Sequence, residues 1–229
     1  AKAVEDTACY RSGALLSRND VGFDPQTFSA PVDAFHAACL ARAEHFPRNL
    51  LATATHDHKR GEDTRARMTV ISECAPWFAA KVRHWRQLAY AQRQELADGP
   101  APSAGDEMLL FQILLGSWPL DLQADDRPGA EAYCERIIKW QEKAVREAKL
   151  RSTWTDPNSE YEGACQRYVR ALLLDDECKT LRNDIAAAAA ELAPTGALNS
   201  LTQTFLRMTT PGVPDLYQGT DYWDFSLVD

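Results

Sequence analysis

The residues of this chain best equipped for chemistry are His56, Asp57, His58, Lys59 and Arg60. They follow directly on Leu50-Leu51-Ala52-Thr53-Ala54-Thr55, which carries no charge. A short uncharged run of this kind predicts a strand over 49–55, buried on both faces. A strand that ends in five polar groups delivers those groups to a loop. Gly61-Glu62-Asp63 comes next, then a helical pattern from Thr64 to Glu73. The order is strand, polar tip, helix. In α/β folds, ligands bind beyond the carboxyl ends of strands. Polar groups delivered to that place make a candidate ligand site. The simpler alternative is that the His-Asp pair caps the next helix and ties down a loop.

Composition narrows the field. The 229 residues are 45% hydrophobic, enough for a core in one large domain or two small ones. A net charge of −8 argues against a general nucleic-acid or anionic-membrane surface. No apolar run approaches the ~18 residues of a membrane span. Six cysteines, at 9, 39, 74, 134, 165 and 178, form no C-x-x-C pair and fit no zinc spacing, so free thiols in a cytoplasmic protein are expected. No metal and no cofactor is expected. The first residues match neither a signal peptide nor an initiator Met, and the chain reads as an internal fragment of a longer protein.

The elements that must position the polar tip are mostly helices. Residues 1–30 read as irregular, with Asn19-Asp20-Val21-Gly22-Phe23-Asp24-Pro25 as loop chemistry. A helix is expected from Pro31 to Phe46. Pro76 opens another, in which Phe78, Val82, Trp85, Ala89 and Gln92 recur at spacings of 4, 3, 4 and 3. Residues 97–103 break it. Asp106–Gly116 is short and apolar. Gly129–Leu150 carries Tyr133, Ile137, Trp140 and Ala144 on one face. Three more helices are expected over Glu160–Leu174, Asp176–Leu192 and Gly196–Thr209, with Pro194 between the last two. Val213–Tyr217 reads as a second short strand. Trp85, Tyr133 and Trp140 could be stacking platforms for a ligand, but their helical spacing favours the core.

Three ordered stretches carry a family resemblance. Residues 52–67, Ala-Thr-Ala-Thr-His-Asp-His-Lys-Arg-Gly-Glu-Asp-Thr-Arg-Ala-Arg, resemble a motif of the maltooligosyl trehalose synthases, within the family 13 glycoside hydrolases and the α-amylase superfamily. The family form has Thr in place of His58 and commonly Ser in place of Gly61. Residues 1–8, AKAVEDTA, resemble its AKGxEDTA block, and residues 211–219, PGVPDLYQG, its PGxPDxYQG block. Asp221 stands where the family commonly has Glu.

The resemblance implies a mainly α chain in which partial (β/α)8 barrel strands flank a large α-helical insertion. Its segments would be 1–72, carrying the His-Asp motif; 73–205, the insertion; and 206–229, the return to the barrel. It implies an enzyme, an intramolecular transglucosylase (isomerase) of trehalose biosynthesis. The reducing-end α-1,4 bond of a maltooligosaccharide is broken and the same glucose rejoined as an α,α-1,1 link. Asp57 would be the catalytic carboxylate that stabilises the transition state. His56, Lys59, Arg60 and Lys2 would bind substrate. Retaining glycosidases also need a nucleophile and an acid/base, and no stretch here matches either family block. The partners implied are the maltooligosaccharide and the remainder of the parent chain, without which the fragment is expected to be inactive. Glu5, Asp6, Glu62 and Asp63 suit helix starts, and Asp215 and Gln218 a structural role. The rival readings are an HD-type metal-dependent phosphohydrolase using His36, His45, His56, Asp57 and His58, and a non-catalytic helical interaction module.

Overall fold

The computed structural model describes residues 2–24, 26–123 and 126–227. Helices come in the order α1 (Lys2–Ala8), α2 (Val32–His45), α3 (Glu62–Thr69), α4 (Ala75–Leu88), α5 (Ala104–Ser117), α6 (Arg127–Ala148), α7 (Ser159–Leu174) and α8 (Lys179–Thr209). Among the described residues, short strands interrupt them: β1 (Leu50–Leu51), β2 (Gln94–Leu96), β3 (Gly99–Ala101) and β4 (Val213–Pro214). The chain is mainly helical, and among its described residues no helix is long and apolar enough to cross a membrane.

The core follows from the apolar stripes. α5 is apolar almost all round, and Leu109–Ser117 are buried without a break, so it runs through the interior. α4 turns Phe78, Val82 and Trp85 inward, and α6 turns Tyr133, Ile137 and Trp140 inward. Trp85 lies 5.3 Å from Phe111 and Trp118 lies 5.4 Å from Tyr133, centroid to centroid. The candidate stacking platforms are therefore core. The helix starts are sharply defined. Ser103 Oγ accepts the Asp106 amide at 3.2 Å, Asp126 Oδ1 the Gly129 amide at 3.0 Å, and Asn158 Oδ1 the Tyr161 amide at 3.0 Å.

Four expectations need correction. First, the strand at 49–55 is only Leu50–Leu51, and Leu50 is 71% exposed rather than buried on both faces. It pairs in parallel with β4, Leu50 opposite Val213 and Leu51 opposite Pro214. Burial on both faces needs a covered sheet, and this ladder has two strands among the described residues. Second, residues 1–30 are not wholly irregular, because Lys2–Ala8 is helical and Leu16–Arg18 form a single 3-10 turn. Third, residues 97–103 do more than break a helix: β2 and β3 form an antiparallel hairpin that turns through Ala97-Asp98, with Gly99 opening β3 at φ +112°. Fourth, α8 runs unbroken through Pro194. An interior proline costs a helix about 3 kcal/mol. Burial of Ile185, Ala188, Ala189 and Leu192 before it, and of Gly196 and Ser200 after it, offsets that cost.

Candidate functional site

α3 is the unusual element. Its sequence, Glu-Asp-Thr-Arg-Ala-Arg-Met-Thr, is mostly polar, yet Glu62 through Met68 are all buried. Buried charges persist only when paired. Glu62 Oε2 meets Arg207 Nη1 at 3.1 Å and accepts the Thr53 hydroxyl. Arg65 donates to the carbonyls of Arg60 and Thr53. Arg67 donates to the Trp118 carbonyl at 2.8 Å and lies 4.3 Å from the centre of the Phe225 ring. The chain's last described stretch caps the helix start. The amides of Asp63 and Thr64 donate to the Asp224 carbonyl at 3.2 and 3.4 Å, and the Gly61 amide donates to the Ser226 carbonyl at 2.8 Å. A Cβ on Gly61 would fall 2.5 Å from the Asp224 carbonyl oxygen, so this approach excludes a side chain where the resembled family commonly has Ser.

The His-Asp turn sits on that platform. His56 Nε2 lies 3.4 Å from Asp57 Oδ2, and the imidazole is 79% exposed while the carboxylate is half-buried. His58 faces inward. Its Nδ1 accepts the Thr55 amide at 3.0 Å and lies 2.9 Å from the Thr55 hydroxyl. Burial, reinforced by the nearby Arg65 cation, holds the His58 pKa below its ordinary value and favours the neutral ring.

The remaining residues expected to bind substrate are placed differently. Lys59 is buried, with Nζ 2.7 Å from Asp6 Oδ1, and its amide donates to Asp20 Oδ1 at 2.9 Å. The Arg60 guanidinium is fully buried; Nη1 donates to the Asn19 carbonyl at 2.7 Å, and the group lies 5.8 Å from the Tyr10 ring centre. Both cations thus hold the first thirty residues against the turn. The side chain of Lys2 lies outside the described residues.

An open cavity of about 270 Å³ lies beside the turn, lined by Thr55, His56, His58 and Arg60 of the turn and by Tyr217, Gln218, Asp224 and Ser226 from the last described stretch. Asp57 stands next to this lining, linked to it through His56. Gln218 adopts a left-handed backbone, φ 57°, and turns the chain at the rim. The sequence assigns Gln218 only a structural or supporting role, and it gives no role to Asp20 or to Asp224. Gln218 had a signal, its place in the PGVPDLYQG block. Asp224 had the same kind of signal, because Trp223-Asp224 follows that block, but its partner about 160 residues away was not legible; Asp20, whose partner is 39 residues away, had none. The cavity can hold a small polar molecule against two imidazoles, a phenol, an amide and a carboxylate. His36 and His45 lie on α2, and among the described residues no group of three or more His, Cys, Asp or Glu is arranged to hold a metal. The HD-type reading therefore finds no ligand set here.

No protein-family model matches the chain. Two curated Mycobacterium tuberculosis proteins, each described as "Putative maltooligosyl trehalose synthase", are 37% identical to it over all 229 residues. The chain spans 28% of their length. A solved maltooligosyl trehalose synthase structure shares 30% identity at a TM-score of 0.83, covering 99% of this chain and 29% of that one. The maltooligosyltrehalose synthase of Arthrobacter ramosus shares 34% at a TM-score of 0.76, covering 99% and 27%. Across its whole length and in its fold, this chain is similar to proteins described as maltooligosyl trehalose synthases, and it spans a little over a quarter of their length.

Proposed function

We propose that this chain is part of an enzyme that converts the reducing-end α-1,4 linkage of maltooligosaccharides to an α,α-1,1 linkage by intramolecular transglucosylation in the cytoplasm. One observation carries the reading: the three family-like stretches, far apart in sequence, meet at one turn. Asp6 of the first pairs with Lys59 of the second at 2.7 Å, and Tyr217 and Gln218 of the third line one cavity with His56. In this reading β1 and β4 are neighbouring strands of a partial (β/α)8 barrel, formed by segments 1–72 and 206–229, and 73–205 is the helical insertion. Their parallel pairing supports it.

Asp57 is the carboxylate that favours the oxocarbenium-like transition state, and His56 donates a hydrogen bond to the same sugar. Arg60, which lines the cavity, and Lys2 complete the binding set, and Lys59 acts on the sugar only by holding the turn that carries His56 and Asp57. The nucleophile and acid/base belong to the rest of the parent protein, so the 229 residues alone do not turn over. The intact parent should convert maltopentaose with loss of reducing ends, and Asp57→Asn should lower that rate by about 10³, as for a lost electrostatic stabiliser. A parent that leaves maltopentaose untouched would sink the reading.

A further inference from the structure

The turn that presents His56 and Asp57 is anchored firmly at both ends. Upstream, Thr53 is bonded to Glu62, Arg65 and Arg207. Downstream, the Lys59 amide is held by both oxygens of Asp20, at 2.9 and 3.1 Å. Between these anchors the turn closes on itself. The His58 amide donates to the Thr55 carbonyl at 3.2 Å, and the Asp57 amide to the Thr55 hydroxyl at 3.3 Å. The His58 ring adds the tighter closure: its Nδ1 accepts the Thr55 amide at 3.0 Å, and the Thr55 hydroxyl lies 2.9 Å from the same nitrogen. Thr55 is thus gripped by His58 and in turn grips Asp57.

We propose that His58 is a positioning residue of the reaction, locking Thr55 and through it the His56-Asp57 pair. The inference rests on the transglucosylation reading above. A side chain here does not have to touch sugar to set the rate. It has to hold Asp57 within a fraction of an ångström of its working place, because small misplacements of a catalytic group are costly. His58 also lines the cavity itself, so loosening it moves the wall as well as the turn.

Two substitutions separate this role from mere bulk. His58→Leu keeps the branch at Cγ and removes the acceptor; His58→Asn puts an acceptor oxygen where Nδ1 was. Both are made in the intact parent protein, with His58→Ala as a second acceptor-free variant should the leucine form unfold. The readouts are maltopentaose turnover and hydrogen exchange of the peptide spanning residues 53–58. His58→Leu should lower kcat about tenfold with KM little changed. Exchange at that peptide should quicken about tenfold, roughly the loss of one hydrogen bond. His58→Asn should restore both. An acceptor-free variant that folds and keeps kcat within about twofold of wild type, or leaves exchange unchanged, would overturn the proposal. A wild-type parent inert toward maltopentaose overturns the reaction assignment instead, and the exchange contrast then still decides whether His58 holds the turn.

Discussion

Glu107 shows how much a single carboxylate can organise away from the candidate site. It is wholly buried on α5 and would be prohibitive there alone. Arg86 Nε donates to it at 2.7 Å and Arg93 Nε at 3.1 Å, and the Tyr168 hydroxyl donates at 2.6 Å. These partners come from α4, the segment before the hairpin, and α7. Burial, with the carboxylate beside it, drives the Tyr168 phenol upward and keeps it a donor. Glu107→Gln leaves two guanidinium groups without their counter-charge. It should lower unfolding free energy by about 3 kcal/mol, read from urea denaturation, while leaving the distant His-Asp turn unaltered. A loss within experimental error would mean that solvent compensates through Arg86, the more exposed of the two arginines.

At the scale of elements, the contact that matters most for the site is α3 against α8. A Cβ added to Gly196 would lie 2.9 Å from Arg67 Cα, so the two backbones touch where only glycine fits. In an exposed helix, Gly→Ala gains up to about 1 kcal/mol. Here the clash should reverse the sign. Gly196→Ala is expected to destabilise by about 1–3 kcal/mol in urea melts, as overpacking does. A stabilised variant would show that the helices separate freely. Because α3 carries the turn at its N-terminal end, the same change should also reduce parent activity more than its stability loss alone explains.

At the scale of the whole molecule, the described surface is not evenly polar. Leu198, Leu201, Phe205 and Met208 follow one another at spacings of 3, 4 and 3 along α8 and are 61–68% exposed. Val32 and Leu40 on α2, and Leu50 on β1, are exposed as well. An apolar helical stripe of this length in water favours association. The isolated 229-residue chain should therefore self-associate as its concentration rises, measured by sedimentation velocity. Leu201→Lys with Phe205→Glu should return it to a monomer. A monomeric wild type across the range would show that the stripe is too small to drive dimerisation.

What the sequence determined by itself was local and periodic. The stripes of Phe78, Val82 and Trp85 and of Tyr133, Ile137 and Trp140 were legible because a helix repeats every 3.6 residues and buries one face. The His-Asp turn was legible because a run of adjacent polar groups after an uncharged run is a local pattern, and its family likeness sharpened it. Tertiary structure decided everything that depended on distant partners. It made Lys59 and Arg60 into ties to Asp6 and Asn19, brought Asp224 onto the start of α3, and carried α8 past Pro194. It also shrank the expected strand to two residues, an exposed Leu50 and a half-buried Leu51. The reason is physical: a charge, a proline or a short apolar run has no fixed meaning until the groups packed against it are known, and those groups come from across the chain.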